Sequence, residues 1–165
     1  MASELDWRAA LESSDTAERC QAAEELSRLG EEARPAAVAL VRACDDPSEE
    51  VREWAVAALE EIGSPFDTDL PALASLLSKG SSDVAYWAAT LLGRSKDAAA
   101  PAVPALARAL ATSPHQAVRQ RAAWALGAIG PAASAARMDL DQATASADPR
   151  LADLARVAIR SINES

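Results

Sequence analysis

The chain has 165 residues, a formal net charge of −9, 50% apolar residues and only 4% aromatic ones. That length and apolar content suit a packed core rather than a disordered polymer. The acidic balance argues against nonspecific attachment to DNA, RNA or anionic membranes, because neutralising phosphates needs a basic footprint. The apolar set is unusual in kind: 42 residues are Ala, whereas Phe and Tyr occur once each. Ala is the best helix former and its small side chain lets helices approach closely, so an all-helical fold is favoured.

The start, Met1 to Trp7, is acidic and lacks a charged-then-apolar leader pattern. No stretch approaches the roughly 18 uninterrupted apolar residues of a membrane span. A cytoplasmic location and no membrane partner are the expectations. Beyond Trp7 the sequence repeats. One apolar column, Leu26, Leu59, Leu92, Leu126 and Ile159, steps by 33, 33, 34 and 33 residues. A second, Trp7, Leu40, Leu73, Leu106 and Leu140, steps by 33, 33, 33 and 34. Repetition at this length implies stacked units, each burying its apolar face against its neighbours.

Each unit reads as two helices. In the second helix of unit two, Val51, Ala55, Ala58, Leu59 and Ile62 form one stripe on a 3.6-residue helix. Gly63 is expected to stop that helix, with Pro65 beyond it. The equivalent starts are Glu18, Val51, Val84, Val118 and Leu151. First helices are expected to begin near Pro35, with Pro71, Pro101 and Pro104 in the first turns of their counterparts. Polar connectors follow, such as Asp45-Asp46-Pro47-Ser48 and Gly80-Ser81-Ser82-Asp83, whose Asp and Ser side chains can cap the next helix. The single extra residue of the array is placed between Thr112 and His115, where insertion costs little. The units are therefore about residues 4–30, 33–63, 68–96, 100–130 and 132–162 of one domain, 1–165. The fold class is all-α: a right-handed α-solenoid of about five stacked helix pairs.

The segments running from Val51-Arg52 to Ile62-Gly63 and from Val118-Arg119 to Ile129-Gly130 resemble the second helix of HEAT repeats. They most resemble the short bacterial type known as PBS-lyase HEAT-like repeats, with a Val-Arg-x-x-Ala-Ala-x-Ala-Leu-Gly-x-Ile-Gly pattern. Unit three departs from it, with Ala85 for the Arg and Ser95-Lys96 for Ile-Gly, and unit five ends in Ile162-Asn163. These irregularities argue against a consensus-designed array. The period is nearer that of ankyrin or TPR repeats, but the turn of the first and the Trp/Leu-Gly/Tyr spacing of the second are absent. The resemblance implies a scaffold or regulatory binding module. A subset of such proteins attaches or detaches bilin pigments, and another HEAT-like group consists of DNA glycosylases, against which the net charge counts.

Catalytic constellations are not found. His115 is the single histidine and lies in a connector, so neither a zinc set nor a Ser–His or Cys–His pair is supported. Cys20 and Cys44 are read as a reduced, buried pair. Adjacent acidic residues such as Glu24-Glu25 and Glu60-Glu61 point about 100° apart on a helix and do not converge on one proton. No metal, cofactor or catalytic residue is expected. The repeated Arg19, Arg52 and Arg119 are assigned a structural role; the resemblance implies that they tie connectors together through an Asp such as Asp46 or Asp83.

The aromatic residues are the candidate binding set. Trp54 and Trp87 occupy one repeat position at the margin of the apolar stripe, Arg121 follows in unit four, Trp124 points further out and Tyr86 is also off the stripe. Second helices of such an array line its concave side, so Trp54, Tyr86, Trp87, Arg121 and Trp124 can form a ridge along that groove. Trp, Tyr and Arg are enriched at binding hot spots; the alternative is that the Trp rings bridge Ala-rich gaps between helices. Charge is also asymmetric: residues 1–66 carry 16 acidic and 6 basic groups, residues 67–165 carry 9 and 10. The reading is a noncatalytic protein–protein interaction module with a peptide or protein partner and no nucleic-acid partner. Self-association through the C-terminal unit is a further expectation, drawn from the wide apolar arc Leu151, Leu154, Val157, Ile159 and Ile162. A bilin-lyase-like, pigment-handling protein or an accessory subunit of one is the alternative.

Overall fold

The computed structural model describes residues 6–164; residues 1–5 and 165, and with them the start of the first expected unit, lie outside the described residues. Among the described residues there are ten α-helices in five consecutive pairs and no strand, so the chain is an all-α solenoid of helix pairs. Its contacts divide it into two compact units, residues 1–69 and 70–165.

The first unit holds α1 (Trp7–Ala10), α2 (Thr16–Leu29), α3 (Ala37–Ala43) and α4 (Glu49–Glu61). The second helices α2 and α4 pack on each other, and α1 and α3 pack on α2 and α4 respectively. Ala22, Ala23, Ala55, Ala58 and Leu59 are fully buried, which is how small residues on the apolar stripe become a close helix interface. The second unit holds α5 (Leu70–Lys79), α6 (Ser82–Arg94), α7 (Val103–Thr112), α8 (Gln116–Ile129), α9 (Arg137–Ala143) and α10 (Pro149–Asn163). Here α6, α8 and α10 pack in succession as one layer, with α5, α7 and α9 as the other. Both apolar columns lie in the core: Leu40, Leu59, Leu73, Leu92, Leu106, Leu126 and Leu140 have no accessible surface. Ile159 of the last pair and Trp7 of the first are only half-buried.

Second helices start at Thr16, Glu49, Ser82, Gln116 and Pro149, each two residues ahead of the expected Glu18, Val51, Val84, Val118 and Leu151. The apolar stripe marks the first residue facing the core, whereas the helix starts earlier, and in three of the five a capping side chain sets that start. Asp15, Ser81 and Asp148 accept hydrogen bonds from the free N–H groups of Ala17, Val84 and Arg150. Pro71 and Pro104 lie in the first turns of α5 and α7 as expected. Pro35 and Pro101 do not; they fall in 3₁₀ segments, Gly30–Ala36 and Lys96–Ala102, upstream of α3 and α7. A fixed φ near −65° suits that tighter helix equally well. The extra residue is where it was placed, because Gly80-Ser81 separates α5 from α6 and Ser113-Pro114-His115 separates α7 from α8.

Four of the five second helices end in a residue of positive φ: Gly30 (57°), Gly63 (70°), Gly130 (75°) and, in unit three, Lys96 (52°). A lysine there carries the Cβ clash that glycine avoids. The repeated arginines are structural. Arg19 grips Asp46 with Nε to Oδ2 at 2.7 Å and Nη2 to Oδ1 at 3.1 Å, both side chains nearly buried. Arg52 donates to the carbonyls of Asp46 and Pro47, and Arg119 to that of Leu110. Cys44 is buried and Cys20 only half-buried, a correction to the expectation of two buried thiols. Burial pushes the Cys20 thiol up, and a hydrogen bond to Glu50 with the charges of Glu50 and Glu24 pushes the same way.

Burial alone would raise Asp46, but the hydrogen bond from Arg19, the Ser48 N–H and the charges of Arg19 and Arg52 outweigh it and hold the carboxyl below its usual range. A depressed folded value means the ionised form stabilises the fold fully above the ordinary Asp pKa of about 3.9 and ceases to as pH falls through the lower folded value. The stability gap between the parent and Asp46→Asn should therefore be widest near neutral pH and close in acid, as read by denaturant melts across pH. Lys96→Gly should raise stability by about 1 kcal/mol, whereas Leu92→Ala should lower it by about 2–5 kcal/mol. Both are read from thermal unfolding. At neutral pH, Cys20 should alkylate more slowly than cysteine in an unstructured peptide, because less of it is thiolate.

Candidate functional site

The C-terminal unit concentrates polar and aromatic groups on its second-helix layer. Ala117, Gln120, Arg121, Trp124 and Ala128 recur at three- and four-residue spacing and share one face of α8. On α10, Arg150, Leu154, Val157 and Ser161 do the same. Two hollows lie between these faces. One of ≈180 Å³ is lined by Tyr86, Gln120, Arg121, Trp124, Arg150 and Leu154. The other, of ≈220 Å³, has Trp124 and Leu154 in common with it and continues past Gly127, Ala128, Val157 and Ala158. Together they make one groove, cationic at the Arg121 end and apolar at the Val157 end.

Arg121 is held there by three contacts. Its guanidinium carbon lies 4.6 Å from the Tyr86 ring centroid and 4.9 Å from that of Trp124, and Nη2 donates to the Tyr86 hydroxyl. Two electron-rich faces hold the planar cation, and the hydroxyl fixes its rotation. Tyr86 is itself braced edge-on by Trp87, with centroids 5.7 Å apart at 85°. Among the described residues, neither Arg121 nor Arg150 forms an ion pair. Gln120 donates to Asp148 at 2.7 Å. That bond, another from Gln116, and the N–H groups of Leu151 and Arg150 hold the Asp148 carboxyl below its usual range.

The structure therefore brings Tyr86, Trp87, Arg121 and Trp124 together in the second unit, while Trp54 stands on α4 of the first, half-buried. Two expectations change. Trp87, placed at the margin with Trp54, is 9% exposed and acts mainly in packing. Trp124 does not stand clear of the stack: a Cβ added to Gly93 would meet its Cζ3 at 2.4 Å. The ring's Cζ3–Cε3 edge fills the notch left by a residue without a side chain, while Arg121 lies over the ring on the groove side. Sequence reasoning passed over Gln120, which neighbours Arg121 on α8, and Arg150, whose signal was helical spacing with Leu154 on the next second helix; Leu154 itself it had placed in the C-terminal apolar arc. It also passed over Arg34, which lies over Phe66 at 4.2 Å and donates to the Pro65 carbonyl in the first unit. The C-terminal apolar arc is largely used internally, with Leu151 and Ile162 buried and Leu154 and Ile159 half-buried; Val157 and Met138 are the large apolar side chains there that are exposed. Among the described residues no cluster of three or more His, Cys, Asp or Glu could hold a metal, and no helix is long and apolar enough to cross a membrane. His115 is exposed at the start of α8.

Successive helix pairs with a shared second-helix layer and glycine-type helix stops define an α-solenoid repeat protein. The chain belongs to the HEAT-repeat family: the model for HEAT repeats matches residues 5–85 and 70–161. No curated protein matches. Among solved structures, an engineered protein is 25% identical, with a TM-score of 0.66 over 94% of this chain and 77% of that one. A designed armadillo repeat protein in complex with the peptide (KR)4 is 19% identical, with a TM-score of 0.67 over 95% and 80%. The CpcE–CpcF complex of phycocyanin lyase from Nostoc sp. PCC7120 is 19% identical, with a TM-score of 0.59 over 92% and 95%. The last two share the fold.

Gly93→Ala should displace the Trp124 ring, since no flexible chain end is available to yield. Lower thermal stability and a shifted Trp emission maximum, each absent from Ala128→Ser, are the expected results.

Proposed function

We propose that this protein is a noncatalytic interaction module that binds a peptide or protein on the second-helix face, with Trp54, Tyr86, Trp87, Arg121 and Trp124 as the contact set and residues 1–165 acting as one cytoplasmic HEAT-like domain. The observation that carries the reading is Arg121, held between Tyr86 and Trp124 beside an open groove with no acidic partner among the described residues. A preordered guanidinium flanked by rigid rings loses little entropy on contact, which is what makes Arg and Trp effective anchors. Arg121 and Trp124 are the principal contacts, Tyr86 orients Arg121, and Trp87 supports Tyr86 from behind. The peptide-bound armadillo relative supports the use of such a fold for peptides; its (KR)4 ligand suits a groove of the opposite charge.

Self-association through the last pair is the second part of this reading. It rests on Met138, 76% exposed on α9, and Val157, 48% exposed on α10, and on the contrast in charge between residues 1–66, with 16 acidic and 6 basic groups, and 67–165, with 9 and 10. Light scattering of the parent against Met138→Glu/Val157→Glu tests it; a monomer at all concentrations overturns it. The pigment-handling alternative has the phycocyanin lyase fold in its favour and no residue set of its own.

Panning a displayed random-peptide library on the immobilised protein tests the main reading. Enriched peptides should lose roughly 1–3 kcal/mol of affinity on Arg121→Ala or Trp124→Ala and less on Trp54→Ala, each variant being checked for folding by circular dichroism. Peptides that bind every variant as they bind the parent would place the contact elsewhere.

A further inference from the structure

The groove between α8 and α10 is not uniform along its length, and its two ends ask for different chemistry. We infer that its occupant is an extended acidic–apolar peptide segment, a carboxylate pair lying against Arg121 and Arg150 and aliphatic side chains following toward Val157. This rests on the reading of the second-helix face as a binding surface and specifies the class of partner.

Three observations carry it. First, the cationic end presents two guanidiniums that no carboxylate among the described residues neutralises, and Asp148, two residues before Arg150, is engaged by Gln120 and by the first turn of α10. A guanidinium matches a carboxylate with two parallel hydrogen bonds, and aromatic faces on Arg121 shield the pair from water. Second, the other end is built from Gly127, Ala128, Ala158, Leu154 and Val157, with Ser161 the polar exception. A ligand charged throughout would leave that surface uncovered, and one apolar throughout would bury two unpaired cations. Third, the two hollows adjoin, with Trp124 and Leu154 lining both, so one extended chain laid across these side chains would reach each of them. The span from Arg94 to Arg121 adds to the field, with Arg94, Lys96, Arg108, Arg119 and Arg121 against Asp97 alone. In a protein of net charge −9, this span is the one to which an acidic segment is steered.

The probe is a short fluorescein-labelled peptide carrying two glutamates followed by two leucines in an Ala/Ser background, titrated onto the full chain by fluorescence anisotropy. Companion peptides replace the glutamates by lysines, the leucines by serines, or the glutamates by phosphoserines. The acidic–apolar peptide should bind at least about tenfold more tightly than the lysine and serine versions and weaken as salt is raised. Arg150→Glu should remove that preference and favour the lysine peptide. Arg150 is exposed in the first turn of α10, where a carboxylate suits the helix terminus, so folding is preserved. Val157→Asp should weaken the leucine peptide and leave the serine peptide unchanged. Tighter binding of the phosphoserine peptide would overturn the carboxylate assignment in favour of phosphate. Equal binding of the acidic and lysine peptides, or an unaltered preference in Arg150→Glu, would overturn the inference. If library-derived peptides still depend on Arg121 and Trp124 but are not acidic–apolar, the general reading stands and this one falls.

Discussion

How closely one second helix can approach the next determines almost everything in the C-terminal unit. Gly127 faces Ala158, where an added Cβ would lie 3.0 Å from its Cα, and Gly93 faces Trp124 and Ala125. These are backbone-to-backbone approaches in which any larger side chain is a wedge. Alanine does the same elsewhere, with Ala88, Ala122, Ala123, Ala125 and Ala155 fully buried. The large leucines of the two columns then fill the space between the layers. Close packing between second helices and bulky packing between layers are complementary uses of a restricted alphabet.

The binding surface follows from the same constraint. Because α8 and α10 approach at Gly127 and Ala158, their outer side chains diverge into a shallow groove instead of a flat face. Because Gly93 leaves a notch, Trp124 lies down into it and presents one face to Arg121. A ring standing free would move among rotamers and clamp nothing. The order of Arg121 thus originates in a glycine on another helix, and a contact residue and a packing residue are here the same side chain.

Much of this was legible in the sequence, for reasons that differ by feature. The leucine columns fixed pairing, period and core, since a helix face in a stack has one register that buries it. Helix starts were read two residues late, because Asp15, Ser81 and Asp148 set them through hydrogen bonds that an apolar pattern does not record. Composition and helical angle brought Tyr86, Arg121 and Trp124 into one set. They could not say whether Trp124 met solvent or a neighbouring helix, since that depends on an interhelical distance controlled by Gly93. Arg150 escaped notice for a related reason: it belongs to the first turn of α10, ahead of the apolar stripe by which that helix was recognised.

The three-residue connector Ser113-Pro114-His115 replaces a two-residue one without altering the helices it joins, since α5 and α7 are both 10 residues long and end at the same distance beyond Leu73 and Leu106. Elsewhere helix and connector trade length: α3 and α9, 7 residues each, end three residues beyond Leu40 and Leu140 and are followed by five-residue connectors, so the next helix still starts nine residues after the core leucine, as α6 does after Leu73. A stack built on that rule keeps its phase even when its text loses it. Copies of a unit can drift in length at their connectors until no period is visible to a reader of letters, while the helices still meet in register.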